Sequence, residues 1–253
     1  MTDTRERGGG GDGGWSPALA LLWGTGRPVG RRGPRPTLTL DAIARAGVAV
    51  ADAEGLAALT MQRTAAEVGV TKMALYRYVP GKDELVALMI EAAMGEPPRD
   101  AAPKDAWRPR LDAWARGLFE RFVRHSWALE AIVGPRPMGP HELAWMEAAV
   151  AALAGCGLGG GERLDVAATL VGHVRAVAQQ HAAVAGGGAE EAMAEGIAPL
   201  LAARREQFPA LAEAFASAAH EGSGGDALDF GLARILDGVE LLVNARREAA
   251  PGE

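Results

Sequence analysis

The chain has 253 residues, 26 Lys+Arg against 32 Asp+Glu, one cysteine and 49% hydrophobic residues. That length supports one large or two modest domains, the single Cys156 excludes an internal disulfide or a cysteine-cluster metal site, and no apolar run approaches the ~20 residues of a membrane span. Ala, Leu, Glu and Arg favour helix, no alternating β-branched run reads as a strand, and the expected fold class is all-α. Charge is uneven: residues 1–82 carry 11 Lys+Arg against 7 Asp+Glu, the rest 15 against 25. A basic head on an acidic body suggests that only the head meets a polyanion.

Residues 1–36 read as a flexible basic extension. The first fourteen (MTDTRERGGGGDGG) are charged and Gly-rich, a composition that disfavours a packed core. Ser16 to Trp23 form at most a short apolar helical turn, and SPALALLWG lacks a signal-peptide cleavage pattern, so a cytoplasmic protein is expected. A Pro/Gly arm follows with Arg27, Arg31, Arg32 and Arg35. Such arms can enter an A·T-rich minor groove beside a major-groove helix; a solvated linker fits the composition equally well.

A domain is expected over 37–94. Thr39 is a candidate N-cap for a helix with Ile43, Ala46, Gly47 and Val50 at helical spacing, ending near Glu54-Gly55. Thr60 caps a second helix to about Val68, Gly69 turns the chain, and Thr71 starts a third to about Tyr78. Pro80-Gly81 breaks it and Asp83 opens a fourth. Residues 95–103 (GEPPRDAAP) read as a linker. Beyond it helices are predicted near 107–124, 127–133, 140–154, 162–185, 189–206, 209–220 and 226–247, in a second domain over 104–250.

The stretch TMQRTAAEVGVTKMALYRYVPGKDEL carries the functional signal. Two short helices about a Gly turn bury each other's apolar sides and present the second to a major groove. Met61, Ala65 and Val68 line one side of the first; Thr71, Leu75 and Tyr78 share the expected buried face of the second. The opposite arc then shows Lys72, Met73, Tyr76 and Arg77, residue types that suit a groove edge flanked by phosphates.

From Leu38 to Met94 the order of elements resembles the N-terminal DNA-binding domain of the tetracycline-repressor family, most sharply in LYRYVPGKDEL. The resemblance implies a three-helix helix-turn-helix head and a helical ligand-binding and dimerisation body. It places base-reading roles on Gln62, Lys72, Met73 and Arg77, and phosphate contacts on Thr60, Tyr76, Tyr78 and Lys82. The implied partners are a double-stranded palindromic operator, a second copy of the chain and an unknown small-molecule effector. No cofactor or metal is implied.

In the body, Leu228, Leu232, Ile235, Val239 and Leu242 repeat at 4-3-4-3 spacing, a seam suited to a dimer contact or to intrachain core. A second seam runs through Leu164, Ala167, Val171, Val174, Ala178 and His181. The resemblance favours the dimer reading, because two late helices of each subunit form that family's interface. Another stripe of the same helix, with Leu170, His173, Val177 and Gln180, joins Trp114, Trp127 and Trp145 as candidate pocket lining; a satisfied core histidine is as compatible with the pattern. No HExxH, P-loop or GxSxG is present, and DFG at 229–231 has no kinase companions, so an enzyme is not expected. A DNA-binding protein without a ligand would not need so large a body.

Overall fold

The computed structural model describes residues 17–24, 38–99, 103, 106–183, 189–221 and 227–249, and among these the chain forms helices and no strand. The arm arginines Arg27, Arg31, Arg32 and Arg35 lie outside the described residues.

Four helices make the head: α2 (Leu40–Glu54), α3 (Met61–Glu67), α4 (Lys72–Tyr76) and α5 (Lys82–Met94); they are numbered after a short α1 (Pro17–Leu22). Three of their starts are set by one device. The hydroxyls of Thr39, Thr60 and Thr71 each accept the backbone N–H three residues on, at 3.0, 3.0 and 3.2 Å, satisfying a donor that the first helical turn leaves without a partner. The end of α3 is equally local. Gly69 takes φ +70°, and Val70 N–H reaches the Ala65 carbonyl at 2.9 Å while Gly69 N–H reaches Ala66 at 3.1 Å, the paired bonds of a left-handed helix stop. This turn sets the angle between α3 and α4.

Ile43, Leu59, Ala65, Leu75, Val79, Leu85 and Met89 are fully buried and lock the head together. α2 lies against α5. Their approach is close because position 47 is glycine: a Cβ there would stand 2.6 Å from the Met89 sulfur. α1 also seats on α5, with Ala18 buried, so part of the segment read as a flexible extension is tied down.

The body comprises α6 (Trp107–Arg124), α7 (Ala128–Ala131), α8 (Pro140–Ala152), α9 (Gly160–Ala183), α10 (Ala189–Ala203), α11 (Pro209–Glu221) and α12 (Ala227–Ala249). α9 is its axis, packed on α6, α8, α10 and α12. Leu111, Leu118, Leu170, Val174 and Leu232 fill the layer between. Cys156 is buried, which pushes its thiol up and keeps it protonated.

The seam read as a dimer contact is in part intrachain core. Leu228, Leu232 and Val239 are at most 7% exposed within the single chain, and Ile235 and Leu242 pack half-buried on the same core. α12 turns this face onto α9 of its own chain. The spacing identified a face that divides: Leu228 and Leu232 are covered within the chain, whereas Ile235, Val239 and Leu242 also line an open groove beside α9. What α12 leaves exposed is another stripe, with Phe230 and Leu241 at 69% and 72%.

Candidate DNA interface and effector cavity

The solvent side of α4 gathers the groove residues expected from sequence. Leu75 is fully buried and anchors the helix, so the opposite arc faces out, with Met73 76% exposed and Lys72, Tyr76 and Arg77 also exposed. Lys72 Nζ stands 5.7 Å from the Tyr76 ring centre, a cation–π contact that orients both side chains. Gln62 is exposed on α3, and Lys82 is exposed at the first turn of α5. Two candidates are partly committed elsewhere: the Thr60 hydroxyl already caps α3, and Tyr78 packs half-buried on the core. Thr71, expected on the buried face, is an exposed cap. Arg63 is held by Glu54 at 2.9 Å and Glu67 at 3.0 Å, which braces α3 against α2.

The body contains a cavity of about 400 Å³ between α6, α8 and α9, within the size range of small-molecule sites. Trp114, Phe122 and Trp145 form its aromatic wall, and Met94, the last residue of α5, closes one end. The two indoles meet edge to face, with centres 6.0 Å apart. Both spend their N–H on backbone: Trp114 donates to the Trp145 carbonyl at 2.8 Å, and Trp145 to Gly95 at 3.0 Å and Met94 at 3.3 Å.

Other pocket candidates fall outside. Trp127 lies at the junction of head and body and donates to Asp52 at 2.7 Å, beside His125, whose Nδ1 is 2.8 Å from the same carboxylate oxygen. Leu170 is fully buried in the core and Gln180 is exposed. His173 donates to the Leu228 carbonyl at 3.3 Å, and its ring fills the space left by Gly231. Val177 packs half-buried against the core. Within the stripe read as pocket His173 meets α12, while Leu164, Ala167 and Val171, read as a packing seam, line the cavity.

Sequence reasoning missed Arg136, Glu142 and Arg175, the charged members of the lining. A usable signal existed for one of them. Arg175 continues the row Leu164, Ala168, Gly172 at helical spacing, and small residues leave room that need not be filled by another helix.

Several contacts tie this cavity to the head. His141 N–H donates to the Glu91 carboxylate at 2.6 Å, and its Nδ1 reaches the Glu91 carbonyl at 2.9 Å. Burial pushes the Glu91 carboxyl up, partly offset by His141. The Trp23 indole donates to the carbonyl of cavity-lining Met138 at 3.1 Å, so the chain just after α1 is anchored to the body.

The sequence pattern of bacterial regulatory proteins of the tetR family matches residues 43–89, and that of the tetracyclin repressor-like C-terminal domain matches residues 98–243. The chain belongs to the TetR family of transcriptional regulators. In this TetR-family regulator α3 and α4 are the helix-turn-helix of the DNA-binding head. It is 38% identical over 256 residues to the HTH-type transcriptional repressor DrrR1 of Streptomyces coeruleorubidus, covering 95% of this chain and 92% of that one. The fold is similar to apo ActR from Streptomyces coelicolor, with TM-score 0.70, 26% identity and coverage of 86% of this chain and 100% of that one. ActR in complex with (S)-DNPA matches with TM-score 0.67 and 25% identity, over 81% and 97% of the two chains. No helix among the described residues is long and apolar enough to cross a membrane.

Proposed function

We propose that this regulator is a cytoplasmic, non-enzymatic repressor that binds a palindromic operator as a homodimer and is released by a small molecule in the body cavity. The head would comprise residues 37–94, the ligand-binding and dimerisation body 104–250, and residues 1–36 a basic extension whose four arm arginines add phosphate contacts. The observation that carries this reading is the bonding of Trp145, a cavity wall, to the last carbonyls of the DNA-binding head. A ligand that moves Trp145 disturbs the C-terminal end of α5, and so biases the placement of α4. Effector binding and operator binding are then linked, and each must oppose the other by the same factor. The complex of ActR with (S)-DNPA supports a body that accepts small molecules.

Base reading falls to Gln62, Lys72, Met73 and Arg77, with Tyr76, Tyr78, Thr60 and Lys82 on the backbone. The dimer forms through the outward faces of α9 and α12. These flank a groove of about 380 Å³ between Thr169 and Gly238, and carry the exposed Phe230 and Leu241.

Genomic DNA selected by the purified protein should yield a palindrome with half-sites about one helical turn, ~34–36 Å, apart or a multiple of it. Lys72→Ala and Arg77→Ala should each weaken it by roughly 1–3 kcal/mol in a gel-shift titration. Unchanged titrations in both variants would remove α4 from the interface, and a DNA complex that no small molecule alters would leave a regulator without an effector.

A further inference from the structure

The cavity chemistry is lopsided in charge. Three ionisable side chains line it: Arg136, Glu142 and Arg175. Arg136 and Glu142 neutralise each other through a two-armed ion pair, one arm at 2.6 Å, with the Glu142 side chain only 9% exposed. Arg175 is left over. Its Nε is buried without a hydrogen-bond partner, and no ion pair among the described residues involves it. Burying part of a guanidinium without a partner is unfavourable, and here the uncompensated group borders open volume instead of packed core.

The rest of the lining offers rings, not donors. Trp114 and Trp145 have committed their indole N–H groups to backbone carbonyls. What they present to the cavity is aromatic surface at 62° to each other. Met94, Met138 and Met146 add polarizable side chains that adjust to ring edges.

We infer that this cavity takes a planar polycyclic aromatic carboxylate, with its rings against Trp114 and Trp145 and its anionic group on Arg175. The proposal rests on the effector reading above and names the ligand class for that site. A carboxylate matches the two-donor edge of a guanidinium and forms charge-assisted hydrogen bonds there. A neutral ring system would leave the Arg175 Nε without its charge partner. A cation would add like charge beside it.

The test uses the full chain and three probes of nearly one shape: anthracene-2-carboxylate, the neutral anthracene-2-carboxamide and the cationic 2-(aminomethyl)anthracene. Binding is read by calorimetry and by quenching of tryptophan fluorescence. The carboxylate should bind at least about tenfold tighter than the carboxamide, equivalent to about 1.4 kcal/mol, and the cation weakest. Arg175→Met should bring the acid and the amide to within about threefold. Arg175→Gln, which keeps a polar head of similar length, should do the same, and circular dichroism confirms that each variant is folded. Equal binding of acid and amide to the wild type overturns the inference without any variant. So does a preference that survives both substitutions, or the absence of binding by all three probes.

Gel shifts on the selected operator separate this inference from the effector reading. Carboxylate-selective binding that leaves the DNA complex intact keeps the ligand class and sinks the effector role. Release by acid and amide alike keeps the effector role and sinks the carboxylate assignment.

Discussion

Glu91 shows how a single side chain can join head to body at a cost. One of its carboxylate oxygens accepts from the His141 backbone, while the other is buried without a hydrogen-bond partner. Desolvation raises its pKa, and the Glu142 charge adds to that, whereas His141 opposes it. The folded state therefore holds this proton to a higher pH than the unfolded chain, whose glutamate titrates near ~4.3. By linkage, the contribution of this group to stability is complete below that unfolded value and is lost as pH rises through the folded one. Glu91→Gln keeps the acceptor for His141 and removes the titration. Urea unfolding at a series of pH values from 4 upwards should show wild type losing stability relative to this variant as pH rises through that window. Parallel profiles would mean that the carboxyl is not desolvated. Residue identity alone did not reveal this role, because Glu91 sits in an ordinary helical run and its burial depends on α8 arriving 50 residues later in the chain.

At the scale of elements, α9 and α12 show what periodicity does and does not say. The 4-3-4-3 row of α12 was legible as an apolar face, of which Leu228, Leu232 and Val239 are buried while Ile235 and Leu242 border an open groove. That α9 of the same chain does the covering was not legible, since a seam of Leu, Ile and Val looks alike from either side of an interface. The same limit applies to α9: Leu164, Ala167 and Val171 of the row that suggested close packing line a cavity, Val174 and Ala178 of that row are buried core, and His173 meets α12. Two substitutions on α12 should therefore behave differently. Leu241→Glu, on the exposed stripe, should leave the helical spectrum and melting curve nearly unchanged yet dissociate the proposed dimer in sedimentation equilibrium, as an unpaired charge in an apolar contact costs several kcal/mol. Leu232→Glu, at 1% exposed in the core, should lower thermal stability first. A Leu241→Glu protein that remains dimeric would place the interface away from this stripe.

For the whole molecule, the question is how 5 residues of recognition helix respond to a cavity in the other half of the chain. One bonded route runs from the cavity wall through Trp145 to Met94 and Gly95 at the end of α5, where Glu91 with His141 makes another; Asp52 with His125 and Trp127 bridges at the end of α2. Trp145→Phe keeps an aromatic wall but removes the indole N–H together with the five-membered ring that carries it. Losing a hydrogen bond of ~0.5–1.5 kcal/mol along with some packing should speed amide exchange at the C-terminal turn of α5 by about tenfold or more. Amides of α4 should be unaffected in the free protein. Unchanged exchange over residues 91–95 would shift the coupling to the Glu91–His141 or Asp52 bridge.

The sequence by itself determined the all-helical class, the helix-turn-helix and the outward arc of α4. These rest on interactions within a few residues: threonine caps three positions from their partners, a positive-φ glycine stopping α3, and Leu75 marking the buried side. Only the tertiary structure decided what each apolar stripe covers, that Arg175 has no ion pair among the described residues while Arg136 is paired, and that Trp127 serves the junction and not the cavity. Helical periodicity is a local property, so it reports that a face is shielded from water. Whether the shield is a helix of the same chain or an open cavity depends on where distant elements meet, and that is set by packing across the whole chain.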